Sequence, residues 1–207
     1  MVIIIPFAGG MSCAFSELKQ LLEEQFEVVC IELKGHGTRY SEGLCSSWNE
    51  LVDDIQKKLV RILSHNQSYS ILGYSMGAKV VYDVVSRMEE KGKNLKHVFF
   101  AAAEPPHIRN EKEGGYISNI DEVNRIYKHD VAISNEFDIA LADVLKFKCD
   151  ISVLYSDDEN KFALLDWRKY SDGKCNYYYM GKNHMFLYEK AELMSVIISK
   201  EILKSEV

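Results

Sequence analysis

Several short runs in this chain are apolar at every position rather than at alternate ones: Val2-Ile-Ile-Ile5, Val28-Val-Cys-Ile31 and Val98-Phe-Phe-Ala-Ala102. A strand with one face in water alternates apolar and polar residues, so unbroken apolar runs predict strands buried on both faces. Stretches 15–26, 48–63 and 78–88 lie between these runs and carry apolar residues at helical spacing; the second has them at 51, 55, 59, 60 and 63. Further strands are expected at 69–72, 151–155 and 177–179, and a closing helix at 189–203. Strand and helix in alternation predict an α/β fold: a mostly parallel central sheet with helices on both faces. The helix that starts at 78 is expected to run on until Gly92 ends it.

The pattern changes over about 104–148, which holds Pro105-Pro106, Gly114-Gly115 and two weakly amphipathic segments near 120–127 and 135–145. This region reads as a short helical insertion over the carboxyl edge of the sheet, a candidate lid. No repeat, low-complexity tract or linker divides the 207 residues, so one domain over 1–207 is expected.

A net charge of −6 and the lack of any Lys/Arg-rich run argue against a nucleic-acid surface. No stretch approaches the roughly 20 apolar residues of a membrane span. The five cysteines are odd in number and widely spaced, which predicts reduced, mostly buried thiols in a cytoplasmic protein. Neither histidines nor cysteines cluster at metal spacing, and nucleotide-binding glycine motifs are absent, so neither metal nor cofactor is expected.

Chemistry concentrates at Gly73-Tyr-Ser-Met-Gly77. Gly-x-Ser-x-Gly is a weak pattern alone, but here an expected strand precedes it and an expected helix follows. In that setting the glycines permit a tight turn that lifts the Ser75 hydroxyl clear of the sheet. The turn also puts the Met76 N–H at a helix N-terminus, where it can stabilise an oxyanion. A second donor is expected from Pro6-Phe-Ala-Gly-Gly10: the N–H of Ala8, with Phe7 as the alternative and also a residue of the substrate site.

A serine hydroxyl needs a base, and His184 in Gly181-Lys-Asn-His184 lies between the last short strand and the final helix. The acid that orients it should come from Tyr155-Ser-Asp-Asp-Glu-Asn160, where Asp158 is favoured, then Glu159, then Asp157. His107 reads as a residue of the substrate channel or of a surface loop. His36 reads as a loop residue, His65 and His97 as flanking elements, and His129 as part of the insertion. Together these residues predict a serine hydrolase of the α/β-hydrolase type.

Four segments, Ile5-Pro-Phe-Ala-Gly-Gly10, Glu32-Leu-Lys-Gly-His-Gly-Thr-Arg39, Gly73-Tyr-Ser-Met-Gly77 and Gly181-Lys-Asn-His-Met-Phe-Leu187, resemble the type II thioesterases of nonribosomal peptide and polyketide synthesis. Ala101-Ala-Ala-Glu-Pro-Pro-His107 adds to the resemblance, which spans nearly the whole chain. Tyr74, Lys34, His36 and Ser156 depart from the residues usual there, which are histidine, proline, arginine and glycine. The resemblance implies hydrolysis of acyl or aminoacyl thioesters on the phosphopantetheine arm of acyl or peptidyl carrier proteins, through an acyl-enzyme on Ser75; a monomer is expected. Two rival readings remain: a carboxylesterase or lipase acting on oxygen esters, and a catalytically silent acyl-binding module.

Overall fold

The computed structural model describes residues 1–63, 67–88, 94–108 and 118–204. Its centre is a six-stranded sheet in the order β2-β1-β3-β4-β5-β6, and every recorded pairing is parallel. The strands are β1 (Val2–Ile5), β2 (Val28–Cys30), β3 (Tyr69–Tyr74), β4 (Leu95–Ala101), β5 (Asp150–Tyr155) and β6 (Cys175–Tyr179). The helices are α1 (Ser16–Glu23), α2 (Trp48–Ile62), α3 (Met76–Arg87), α4 (Asp121–Ser134), α5 (Lys161–Leu164) and α6 (Leu187–Lys204).

The unbroken apolar runs have the explanation their pattern suggests. Successive side chains of a strand point to opposite faces. Ile3 and Ile5 therefore join a core with Leu51, Val52 and Ile55 of α2 and Val80, Val81 and Val84 of α3. Val2 and Ile4 join another with Leu18 and Leu22 of α1 and Met194 and Ile198 of α6. All four β1 side chains are fully buried, and each such burial contributes roughly 1.5–3 kcal/mol.

α2 begins at Ser47, whose hydroxyl accepts the Glu50 N–H at 3.2 Å, a side-chain cap that satisfies one orphan donor. α3 begins at the turn after β3 and ends at Arg87; Gly92, expected to end it, lies outside the described residues, as do Gly114-Gly115 and His65.

Within the insertion, the expected segment near 120–127 is part of α4. The segment near 135–145 is a correction: it is irregular, with a single 3₁₀ turn at Leu141–Asp143. Phe137, Ile139 and Val144 pack on the core there while Leu141 and Leu145 are exposed, a spacing that suits an extended path better than a helix. A 3₁₀ helix at Leu165–Tyr170 carries Trp167 flat against Phe100, ring centroids 3.9 Å apart and planes at 14°.

The five cysteines are unpaired; Cys45 is buried, Cys30, Cys149 and Cys175 are half-buried, and Cys13 is exposed. Burial pushes the Cys30 and Cys45 thiols up to about 11 and that of Cys149 up to about 12. Among the described residues, no helix is long and apolar enough to cross a membrane, and no cluster of His, Cys, Asp and Glu is placed to hold a metal.

Candidate active site

Ser75 sits between β3 and α3 with φ +52° and ψ −114°, a backbone conformation that is costly for any residue with a side chain. Tight packing holds it there. A Cβ on Gly73 would lie 2.6 Å from the Gly77 carbonyl carbon, and one on Gly77 would lie 2.7 Å from the Pro6 carbonyl oxygen. The Ser75 N–H donates to Ala101 O of β4 at 2.8 Å. Side chains at 73 or 77 would force these backbones apart, so the two glycines permit the strain that exposes the Ser75 hydroxyl.

The hydroxyl donates to Nε2 of His184 at 2.9 Å, and the Nδ1–H of His184 donates to Oε1 of Glu159 at 2.8 Å. The acid expectation is thereby corrected: Glu159, not Asp158, meets the imidazole. Asp158 instead accepts the backbone N–H of His184 at 2.6 Å, and Asp157 pairs with Tyr179 and Lys161. The physical reason lies in Ser156. Its N–H and hydroxyl both donate to Oε2 of Glu159, at 2.7 and 2.8 Å, so the longer side chain folds back beneath the loop with its other oxygen turned to the ring. Burial opposes the charge on Glu159, but the hydrogen bonds from His184 and Ser156 outweigh it and hold the carboxyl below its usual range.

Tyr74 is fully buried beside the site. Its hydroxyl donates to the His184 carbonyl at 2.6 Å and accepts the Leu187 N–H at 3.2 Å. Burial raises its phenol well above the ordinary value, so it is neutral and serves as a brace.

These groups open onto a cavity of about 770 Å³, within the range of small-molecule sites. Phe7, Ala8 and Met76 line it together with Ser75, as do Val123, Tyr127 and Val131 of α4. His107 is a second correction. Its ring lies over Tyr170, with Nδ1 2.8 Å from the Tyr170 hydroxyl and Nε2 3.1 Å from Asp166, while the adjacent Ile108 lines the cavity. His97 is buried against Ser152, and burial pushes its imidazole down to about 4.

His36 differs from the plain loop residue expected. It is almost fully buried and meets Asp130 of α4 at 2.9 Å. Glu32, also buried, accepts the N–H and hydroxyl of Ser12 at 2.9 and 2.8 Å. Neither pairing has a local sequence signal, since each joins residues distant along the chain.

The Thioesterase domain family matches residues 1–123, more than half of the chain. The chain belongs to this family. This thioesterase is 22% identical over 224 residues to the gramicidin S biosynthesis protein GrsT of Aneurinibacillus migulanus, covering 96% of this chain and 87% of GrsT. Its fold is similar to that of ClbQ from the colibactin NRPS/PKS pathway, with a TM-score of 0.87 at 20% identity over 99% of this chain and 97% of ClbQ. The type II thioesterase BorB from the borrelidin biosynthetic cluster superposes with a TM-score of 0.81 at 19% identity, covering 97% of this chain and 91% of BorB. The thioesterase thus has the α/β-hydrolase architecture, and its family makes it a serine hydrolase acting on thioesters.

Proposed function

We propose that this thioesterase is a type II, editing enzyme that hydrolyses acyl or aminoacyl thioesters from the phosphopantetheine arms of carrier proteins, through a Ser75–His184–Glu159 triad. The observation that carries the proposal is the unbroken relay from Glu159 through His184 to Ser75 at the floor of a largely apolar cavity. The similarity to GrsT, a gramicidin S biosynthesis protein, and to BorB, a type II thioesterase of the borrelidin cluster, supports this reading.

In the first half-reaction the Ser75 oxygen attacks the thioester carbonyl as its proton passes to Nε2 of His184. The oxyanion is met by the N–H groups of Met76, an orphan donor in the first turn of α3, and Ala8. Collapse breaks the C–S bond, and the leaving thiolate takes the proton from His184. A water then gives a proton to His184 and attacks the acyl-enzyme, and collapse returns that proton to the Ser75 oxygen and frees the acid. Glu159 fixes the Nδ1–H tautomer and stabilises the imidazolium formed in each half. No step requires a metal or cofactor.

The decisive comparison is turnover of acyl-phosphopantetheinyl carrier proteins against p-nitrophenyl esters. Preference for the carrier thioester is expected; preference for free oxygen esters would favour the carboxylesterase reading. Failure of Ser75 to react with a fluorophosphonate in folded protein would favour the silent binding module.

A further inference from the structure

Two separate loops converge on one carboxylate of α4. Oδ2 of Asp130 accepts the Gly9 N–H at 2.7 Å and lies 2.9 Å from Nε2 of His36. Nδ1 of His36 faces the Lys34 carbonyl oxygen at 3.0 Å. A carboxylate and a carbonyl both accept only, so each ring nitrogen must donate and His36 is an imidazolium. The side chains of the pair are 2% and 3% exposed.

A buried ion pair is weak evidence of stabilisation, because desolvation offsets most of the attraction. This one sits where geometry matters to the reaction. Gly9 directly follows Ala8, has φ +71°, and packs so closely on α4 that a Cβ there would lie 3.1 Å from Cβ of Tyr127. Glu32 holds the far end of the same loop at Ser12. The peptide bearing the Ala8 N–H is therefore flanked by an anchor that depends on α4.

We infer that Asp130, fixed by protonated His36, is a positioning residue that aims the Ala8 N–H at the oxyanion by holding the neighbouring Gly9 amide, coupling α4 to the oxyanion loop. The inference rests on the assignment of Ser75 as nucleophile.

Burial disfavours the charged ring, but the hydrogen bond and charge of Asp130 outweigh it, so His36 titrates above its ordinary value. The charged groups around it are Asp130 and His129 on α4, Glu32 after β2, and Lys34 and Arg39 of its own loop, which pair with Glu50 and with Glu42 and Asp54. The lock is complete below the unfolded histidine value and is lost as pH rises through the raised folded one.

The test is kcat and KM for a short acyl-N-acetylcysteamine thioester between pH 6 and pH 10, with fold monitored by circular dichroism, on wild type, H36Q, H36R and D130A. A wild-type alkaline limb is expected, with losses of kcat of about tenfold or more in H36Q and D130A and smaller changes in KM. H36R keeps the charge at all these pH values, and is expected to recover kcat relative to H36Q and to lack the alkaline limb. In wild-type NMR spectra the Gly9 amide proton should shift over the same pH interval as the activity, a readout that needs no variant to fold. An alkaline limb that persists in H36R, or wild-type kcat in folded H36Q and D130A, overturns the inference. Loss of fluorophosphonate labelling at Ser75 in wild type would instead overturn the nucleophile assignment.

Discussion

The Tyr74 hydroxyl donates to the His184 carbonyl at 2.6 Å, so the residue before Ser75 grips the loop that carries His184. The same oxygen accepts the Leu187 N–H, which ties down the start of α6. Tyr74→Phe leaves both groups without that partner in a buried setting, a loss of about 1–3 kcal/mol. Denaturant unfolding should show it, together with a kcat reduced several-fold and a KM that changes less.

Ser75→Ala and His184→Ala should each remove activity by about 10³-fold or more, because the two residues act as one unit. Combining them should add little to either single loss. Steady-state assays of the two single variants and the double variant check this, and near-normal turnover in either single variant would refute the roles assigned.

Glu159→Gln should be the severe replacement in the acid loop, with a loss of about 10²–10⁴-fold, since a glutamine cannot stabilise the imidazolium. Asp158→Asn keeps an oxygen that can accept the His184 N–H and should cost far less, so equal losses would contradict the geometry. The folded Glu159 carboxyl titrates below its unfolded value, so its contribution to stability is present at neutral pH and is lost as pH falls through the lower, folded value. Melting curves from pH 7 to pH 3 should therefore fall less steeply for Glu159→Gln than for wild type.

Gly77→Ala places a methyl against the Ile5 and Pro6 carbonyl oxygens, where backbone rather than a flexible side chain must yield. Low soluble yield or a strongly lowered melting temperature is expected. A variant with wild-type stability would mean that the elbow is looser than its packing implies.

Most of the architecture was legible in the sequence because it follows from local periodicity. The β1 run Val2–Ile5 and the apolar stripe of α2 are repeated short-range patterns, and the two glycines of the elbow answer to sterics within five residues. The acid was harder. Asp157, Asp158 and Glu159 are chemically equivalent in sequence, and what separates them is the fold-back of Glu159 onto Ser156. Segment 135–145 departs from its expected helix because Phe137, Leu141, Val144 and Leu145 fall at helical spacing, yet Leu141 and Leu145 are exposed and Phe137, Ile139 and Val144 pack along an irregular path. The His36–Asp130 pair had no local trace, since it joins residues 94 positions apart.

Ser75 and His184 stand 109 positions apart, on turns that follow β3 and β6. They come within hydrogen-bonding distance only when β4 and β5 have been laid between those strands. A nascent or partly unfolded chain therefore lacks the Ser75–His184 pair for as long as its apolar surfaces are open. On the proposed mechanism, turnover doubles as a stringent report that β3, β4, β5 and β6 have paired.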